Sequence, residues 1–137
     1  MKILVAEDDK MSQVVVRKFL EKEGVAVDIV STGSKALKAL ESGEYGAVLM
    51  DVQMPDMDGF EATKMIREKE KVSGKHIPVI MLTASAMAED REESIQSGAD
   101  EFITKPIDKD NLIRTLYKYS DVTKTQSGKK MEVRHES

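Results

Sequence analysis

The sequence has 137 residues, a formal net charge of −4 and 40% hydrophobic residues, a combination that suits one globular domain with its own core. It contains no cysteine, which excludes disulfides and thiolate metal sites. Acidic and basic residues are interspersed and aromatic residues are few, so we expect no direct contact with nucleic acid. No signal peptide and no apolar run of membrane-spanning length is present, so we expect a cytoplasmic protein without a membrane segment.

Short apolar runs between turn residues predict five strands, and apolar residues at helical spacing predict five helices. The strands are predicted at residues 2–6, 25–30, 47–50, 79–82 and 101–104. The helices are predicted at residues 10–23, 34–42, 60–70, 87–97 and 108–119. Strands that alternate with helices indicate a parallel sheet covered on both faces, so the expected fold class is α/β, a three-layer sandwich.

The first predicted helix contains three consecutive valines, and successive helical residues point about 100° apart, so the three cannot all face the sheet. We assign the following residues inward or beside the inward face: Met11, Val15, Val16, Phe19 and Leu20. Val14 is then expected to be exposed.

Gly46 is taken as the boundary before the third strand.

The end of the sequence has a different character. Residues 121–137 lack periodicity and are expected to form a polar linker or free tail, which leaves a domain at residues 1–120. His76 and His135 are isolated in the sequence, and we expect both to be solvated.

Candidate site residues follow four of the five predicted strands. Glu7 and Asp8 follow the first strand, Asp51 the third, Thr83 the fourth and Lys105 the fifth. Because parallel strands bring their carboxyl ends to one edge of the sheet, we expect these residues to converge there.

Such a set of side chains suits phosphoryl transfer. Clustered carboxylates bind Mg²⁺, which prefers a few carboxylates together with waters and phosphate oxygens. A hydroxyl and a lysine can hold the remaining phosphoryl oxygens, and a carboxylate can act as the nucleophile and form an aspartyl-phosphate. Taken singly, each of these residues has an ordinary structural explanation as a helix cap, a strand end or a turn. The combination of all of them indicates one functional site.

Four motifs resemble the receiver domain of two-component response regulators over residues 1–119. They are the acidic pair Glu7-Asp8, the run Asp-Val-Gln-Met-Pro-Asp-Met-Asp-Gly at residues 51–59, Thr83-Ala84 and Lys105-Pro106. The resemblance implies a flavodoxin-like (βα)5 sandwich whose five-stranded parallel sheet has the order 2-1-3-4-5. The residues around Asp51 and Thr83 also resemble those of receiver domains in hybrid histidine kinases.

The resemblance implies a function in phosphorelay signalling. A histidine kinase or a histidine phosphotransfer protein is expected to donate a phosphoryl group from phosphohistidine to Asp51. The domain would be no enzyme in the ordinary sense, because it would catalyse only its own phosphorylation and dephosphorylation. Mg²⁺ is the implied cofactor, held by Asp8, Asp51 and the backbone carbonyl of Gln53, with Glu7 acting through water.

The remaining roles are also implied by the resemblance. Thr83 and Lys105 would hold the phosphoryl oxygens, Thr83 and Phe102 would form the switch, and Gln53 and Ser85 would set the phosphoryl lifetime. The phosphodonor is expected to dock at Val14, Met54 and Pro55. A downstream protein is expected at the face made by the fourth helix, the fifth strand and the fifth helix.

Two other classes share parts of this pattern. A phosphatase of the haloacid-dehalogenase type also uses an aspartate at a strand end, but it requires a second aspartate two residues later, where this chain has Gln53. A flavin-binding module of the flavodoxin type requires a phosphate-binding loop after the first strand, where this chain has acidic residues that would repel phosphate.

Overall fold

A computed structural model describes residues 2–84 and 87–119 as a three-layer α/β sandwich. The strands are β1 (Lys2–Ala6), β2 (Ala26–Val30), β3 (Tyr45–Asp51), β4 (Val79–Thr83) and β5 (Glu101–Thr104). The helices are α1 (Lys10–Lys22), α2 (Gly33–Ser42), α3 (Gly59–Ser73), α4 (Ala88–Ser97) and α5 (Lys109–Tyr119). All strand pairs are parallel and the order is β2-β1-β3-β4-β5, which confirms the fold expected from the sequence.

The predicted boundary at Gly46 is wrong, because β3 continues through this glycine to Tyr45. Lys2 pairs with Tyr45, whereas Ile3 pairs with Ala47, so the register shifts by one residue where Gly46 lies. Glycine suits such an irregularity, because a strand bends locally at a bulge. The longer β3 ends at Asp51, as the sequence indicated.

Alternate residues of the strands fill two separate cores. In β1, Ile3 and Val5 point into the core that also contains Leu20 of α1 and Leu116 of α5. The other core, on the opposite face of the sheet, includes the following residues of β1, α2, β3 and α3: Leu4, Ala6, Leu37, Met50 and Ile66. Because both faces are covered, β1 and β3 are almost continuously apolar, as expected for a parallel sheet.

Side-chain caps begin four of the helices, α1, α2, α3 and α5. The carboxylate of Asp9 accepts from the Ser12 N–H at 2.8 Å, and that of Asp58 accepts from the Glu61 N–H at 2.9 Å. Thr32 does the same for α2. Caps of this kind satisfy backbone donors that have no partner inside the helix. They fix the loops at the carboxyl edge of the sheet.

The expected inward face of α1 is partly wrong. Val16 and Leu20 are buried and Phe19 packs against them, but Met11 and Val15 are exposed at 74% and 37%. The apolar residues of α1 allow two stripes about 100° apart, and Val16 with Leu20 forms the stripe that meets the sheet. Val14 is exposed at 50%, as expected.

The side chain of His76 is 59% exposed, as expected, but it is not isolated in the structure. Its Nε2 lies 2.9 Å from Asp100 Oδ1, and its Nδ1 lies 3.8 Å from Glu70 Oε1. Both acids also bind Arg67, whose Nη1 contacts Glu70 Oε1 at 2.7 Å and whose Nη2 contacts Asp100 Oδ2 at 2.9 Å. This cluster joins α3 to the turn before β5, at the sheet edge opposite Asp51.

Two expectations fall on parts of the chain outside the described residues: the tail at 121–137, which includes His135, and Ser85. Within the described part of the chain, no helix has the length and apolar character needed to cross a membrane.

Candidate functional site

Three carboxylates meet at the carboxyl edge of the sheet. Glu7 follows β1, Asp8 comes next, and Asp51 ends β3. One oxygen from each lies within 4.8 Å of the others. Glu7 and Asp51 are buried while Asp8 is exposed, so the cluster is open to solvent on one side. We call Glu7, Asp8 and Asp51 the acidic cluster.

Lys105 supplies the positive charge that the cluster needs. Its Nζ lies 2.9 Å from Glu7 Oε1 and 3.2 Å from Asp51 Oδ1. The backbone N–H of Lys105 donates to the Thr83 carbonyl oxygen at 2.7 Å, which sets Lys105 beside the end of β4. The peptide bond between Lys105 and Pro106 is cis. The convergence expected from the sequence is therefore observed for Lys105 and for all three carboxylates.

The environment makes the charged form of Asp51 costly. Burial raises the pKa of Asp51 from its ordinary value of 3.8 to about 7, with a further contribution from the hydrogen bond and charge of Glu7, although Lys105 opposes the change. Burial acts to lower the pKa of Lys105, but the hydrogen bond to Glu7 and the charges of Asp51 and Glu7 outweigh it and raise that pKa. One lysine thus compensates the acidic cluster only in part.

Glu7 is held by contacts that the sequence reading missed. Its Oε2 accepts from the Asp9 backbone N–H at 3.1 Å while its Oε1 accepts from Lys105. Gln13 of α1 donates from Nε2 to the Glu7 backbone carbonyl at 2.6 Å. The sequence signal that could have indicated this contact is Gln13 itself, a polar residue near the start of α1 on the side that faces the end of β1. These contacts fix the fully buried Glu7 side chain between α1 and β5.

Gly59 holds the loop that follows Asp51. Its N–H donates to the Val52 carbonyl oxygen at 2.8 Å. An added Cβ at residue 59 would overlap the Asp51 carbonyl oxygen, so only glycine allows the start of α3 to approach β3 this closely. The loop between them also places Asp56 in the left-handed region with φ 80°. The close packing of Gly59 therefore positions the backbone of Asp51 against the start of α3.

The two residues of the expected switch lie on neighbouring strands. Thr83 is buried at the end of β4. Phe102 of β5 is half-buried, and the Arg91 guanidinium of α4 lies 5.9 Å from its ring centroid. Phe102 packs in the core between the sheet and α3. The aromatic ring therefore links β5 to α4.

The expected docking residues lie around the same edge but are not equally accessible. Val14 and Pro55 are exposed, whereas Met54 is half-buried and packs against the core. Gln53 is exposed beside Asp51.

The sequence profile of the response regulator receiver domain matches residues 3–117. The chain therefore belongs to this family, which confirms the resemblance seen in the sequence, and it is a receiver domain of two-component phosphorelay signalling.

Known proteins similar to the chain include parts of hybrid kinases. It is 43% identical over 111 residues to hybrid signal transduction histidine kinase I of Dictyostelium discoideum. This match covers 77% of this chain but only 6% of the kinase. It is 40% identical to an uncharacterized 14.6 kDa protein of Leptolyngbya boryana, with 87% and 89% of the two chains covered. The chain thus spans a small fraction of the kinase and most of the smaller protein.

Two solved structures are close in fold. The receiver domain of sensor histidine kinase PA1611 from Pseudomonas aeruginosa, solved with a magnesium ion in its active site cleft, gives a TM-score of 0.79 at 36% identity, covering 86% of this chain and 95% of that one. The Saccharomyces cerevisiae complex of the histidine phosphotransfer protein Ypd1 and the Ssk1 receiver domain gives a TM-score of 0.82 at 26% identity. The match covers 88% of this chain and 88% of the matched chain in the complex.

Proposed function

We propose that Asp51 is the phosphoacceptor of this receiver domain. The observation that carries the proposal is the buried Asp51 carboxylate, placed 3.2 Å from the Lys105 ammonium and beside two further carboxylates. An oxygen of Asp51 attacks the phosphorus of a partner's phosphohistidine, the P–N bond breaks, and the imidazole leaves with the electron pair. Water later attacks the phosphorus of the acyl phosphate and releases the carboxylate and inorganic phosphate.

The acidic cluster fits Mg²⁺, because hard divalent cations take oxygen ligands and three carboxylates approach one another here with little compensation. Asp8, Asp51 and the Gln53 backbone carbonyl would hold the ion, and Glu7 would contact it through water. When bound, the ion neutralises charge on the oxygens of the phosphoryl group. The magnesium in the PA1611 receiver supports this assignment.

The chain's own residues then bind and sense the phosphoryl group. The ammonium of Lys105 and the hydroxyl of Thr83 hold its oxygens. Movement of Thr83 toward the phosphoryl group leaves space into which Phe102 rotates, and the rotation changes the face made by α4, β5 and α5. This is a population shift between two packings. Gln53 and Ser85 tune the lifetime of the phosphorylated state.

The proposed donor is a histidine kinase or a histidine phosphotransfer protein, and the Ypd1 complex of a similar receiver supports it. Val14, Met54 and Pro55 form the proposed contact surface, and a downstream protein binds at α4, β5 and α5. We propose that this phosphoryl exchange takes place in the cytoplasm. We assign the receiver domain to residues 1–120 and a linker or tail to residues 121–137. The receiver domain catalyses only its own phosphorylation and dephosphorylation.

Intact mass after incubation with acetyl phosphate and Mg²⁺ tests the proposal. The chain should gain the mass of one phosphoryl group, and Asp51→Asn should gain none. Asp56→Asn is the matched control, since Asp56 is an exposed carboxylate five residues away, and it should be labelled like the parent. Labelling of Asp51→Asn would place the acceptor elsewhere. Release of free product from a generic phosphomonoester would favour a phosphatase, and a bound flavin would favour a flavodoxin.

A further inference from the structure

Asp8 differs from the other two members of the acidic cluster in how its side chain is held. Glu7 and Asp51 both bind Lys105, and Glu7 also accepts from a backbone N–H. The Asp8 side chain is exposed, and within residues 2–84 and 87–119 it has no hydrogen-bond or ion-pair partner. Its place in the cluster therefore depends on the backbone that carries it.

Hydrogen bonds hold the backbone on both sides of Asp8. Gln13 of α1 donates from Nε2 to the Glu7 carbonyl oxygen at 2.6 Å, and the Glu7 N–H donates to the Val30 carbonyl oxygen at 2.9 Å. On the other side, the Asp9 N–H donates to Glu7 Oε2 at 3.1 Å. The Glu7 carbonyl belongs to the planar peptide unit that joins Glu7 to Asp8. The bond from Gln13 therefore fixes the plane in which the Asp8 nitrogen and Cα lie.

Gln13 is itself held by the first turn of α1. Its backbone N–H donates to the Asp9 carbonyl oxygen at 3.0 Å, and the Asp9 carboxylate caps the helix by accepting from the Ser12 N–H at 2.8 Å. Gln13 is half-buried, because its side chain extends from the helix to the end of β1. It thus connects a capped helix turn to the peptide unit that precedes Asp8.

We propose that Gln13 is a positioning residue for Asp8 and that it favours Mg²⁺ over the larger Ca²⁺. The inference rests on the proposed function, in which Asp8 is a ligand of Mg²⁺. Mg²⁺ demands nearly ideal octahedral geometry at short distances, whereas Ca²⁺ accepts flexible and irregular arrangements. A carboxylate whose backbone can turn still serves Ca²⁺ but loses the geometry that Mg²⁺ needs. Gln13 acts through the Glu7–Asp8 peptide unit and does not touch the ion.

Separate titrations of the metal-free chain with Mg²⁺ and with Ca²⁺, followed by amide NMR signals of residues 7–9 and 51–53, test the proposal. Gln13→Met keeps a long unbranched side chain of similar helix propensity but has no N–H donor. The Mg²⁺ dissociation constant should rise about 10-fold, as for other lost partners of metal-binding groups. The Ca²⁺ dissociation constant should rise much less, because Ca²⁺ tolerates irregular geometry. A purely structural role of Gln13 would not change the preference between the two ions.

Tyr45→Phe is the matched control, because it also removes one side-chain donor, which bonds Asp28 Oδ2 at 2.8 Å, but at the start of β3. It should leave both dissociation constants unchanged. If Gln13→Met keeps the Mg²⁺ affinity of the parent chain, or weakens Mg²⁺ and Ca²⁺ equally, Gln13 does not position Asp8. If the parent chain shows no saturable Mg²⁺ binding, or if Asp8→Ala binds Mg²⁺ like the parent, the proposed metal site is wrong and the role of Gln13 falls with it.

Discussion

Replacement of Asp51 by Asn should stabilise the protein when divalent cations are chelated. The folded state holds the pKa of Asp51 at about 7, against 3.8 for the ordinary carboxyl, because the side chain is buried beside Glu7. A difference of about 3 pKa units at about 1.4 kcal/mol each gives roughly 4 kcal/mol as the upper limit of the cost of ionising Asp51. Asn has nearly the same shape and carries no charge, so the variant avoids this cost.

The gain depends on pH in a defined direction. Between pH 4 and pH 7 the unfolded chain loses the Asp51 proton while the folded chain retains it, so the wild-type protein loses stability as the pH rises through this window. Above about pH 7 both states are ionised and the loss is complete. The stabilisation by Asp51→Asn should therefore be under about 1 kcal/mol at pH 4 and reach on the order of 2–4 kcal/mol at pH 8.

Urea unfolding followed by circular dichroism, with a chelator at pH 4, 6 and 8, measures this gain. Asp56→Asn removes the same charge from an exposed side chain and should change the unfolding free energy by no more than about 0.5 kcal/mol at each pH. If Asp51→Asn has the same effect at pH 4 and pH 8, or lowers stability at pH 8, burial and the neighbouring Glu7 do not control the protonation of Asp51.

Three further predictions concern the same edge of the sheet. Mg²⁺ at millimolar concentration should raise the melting midpoint, and Asp8→Ala should abolish the rise; a full response in that variant would exclude Asp8 as a ligand. Gly59→Ala should cost about 1–3 kcal/mol in urea unfolding because its Cβ meets the Asp51 carbonyl, and a cost below about 0.5 kcal/mol would contradict this. Val14→Asp should slow transfer from the cognate phosphohistidine protein but not labelling by acetyl phosphate, and equal slowing would assign Val14 to the fold.

The fold was predictable because its signals are local. Strands such as β4 are short apolar runs between turn residues, and the alternation with helices leaves few topologies for a parallel sheet. The stripe on α1 was not fully predictable, because Met11 and Val15 are as apolar as Val16 and Leu20. Only the packing of α1 against the sheet distinguishes the two stripes.

The candidate site was predictable in its members but not in its contacts. Residues at strand ends converge because parallel strands share an edge, so Glu7, Asp51 and Lys105 could be grouped from the sequence. The pairing of His76 with Asp100, 24 residues later, has no local signal. The same holds for the bond from Gln13 to the Glu7 carbonyl, since it depends on how α1 approaches β1.

The charges of the site explain why these residues act as a unit. Three carboxylates and one lysine leave the edge with two net negative charges when all are ionised, which a single divalent cation neutralises. By analogy with monoesters, the phosphoryl group carries about −1.5 to −2 charges near neutral pH, but it replaces the single charge of the Asp51 carboxylate, so phosphorylation adds only about −0.5 to −1 and restores an excess of negative charge. In the structure Lys105 lies closer to Glu7 than to Asp51, at 2.9 Å against 3.2 Å. Lys105 contacts both carboxylates, so it is the positive charge that lies in position to meet this excess.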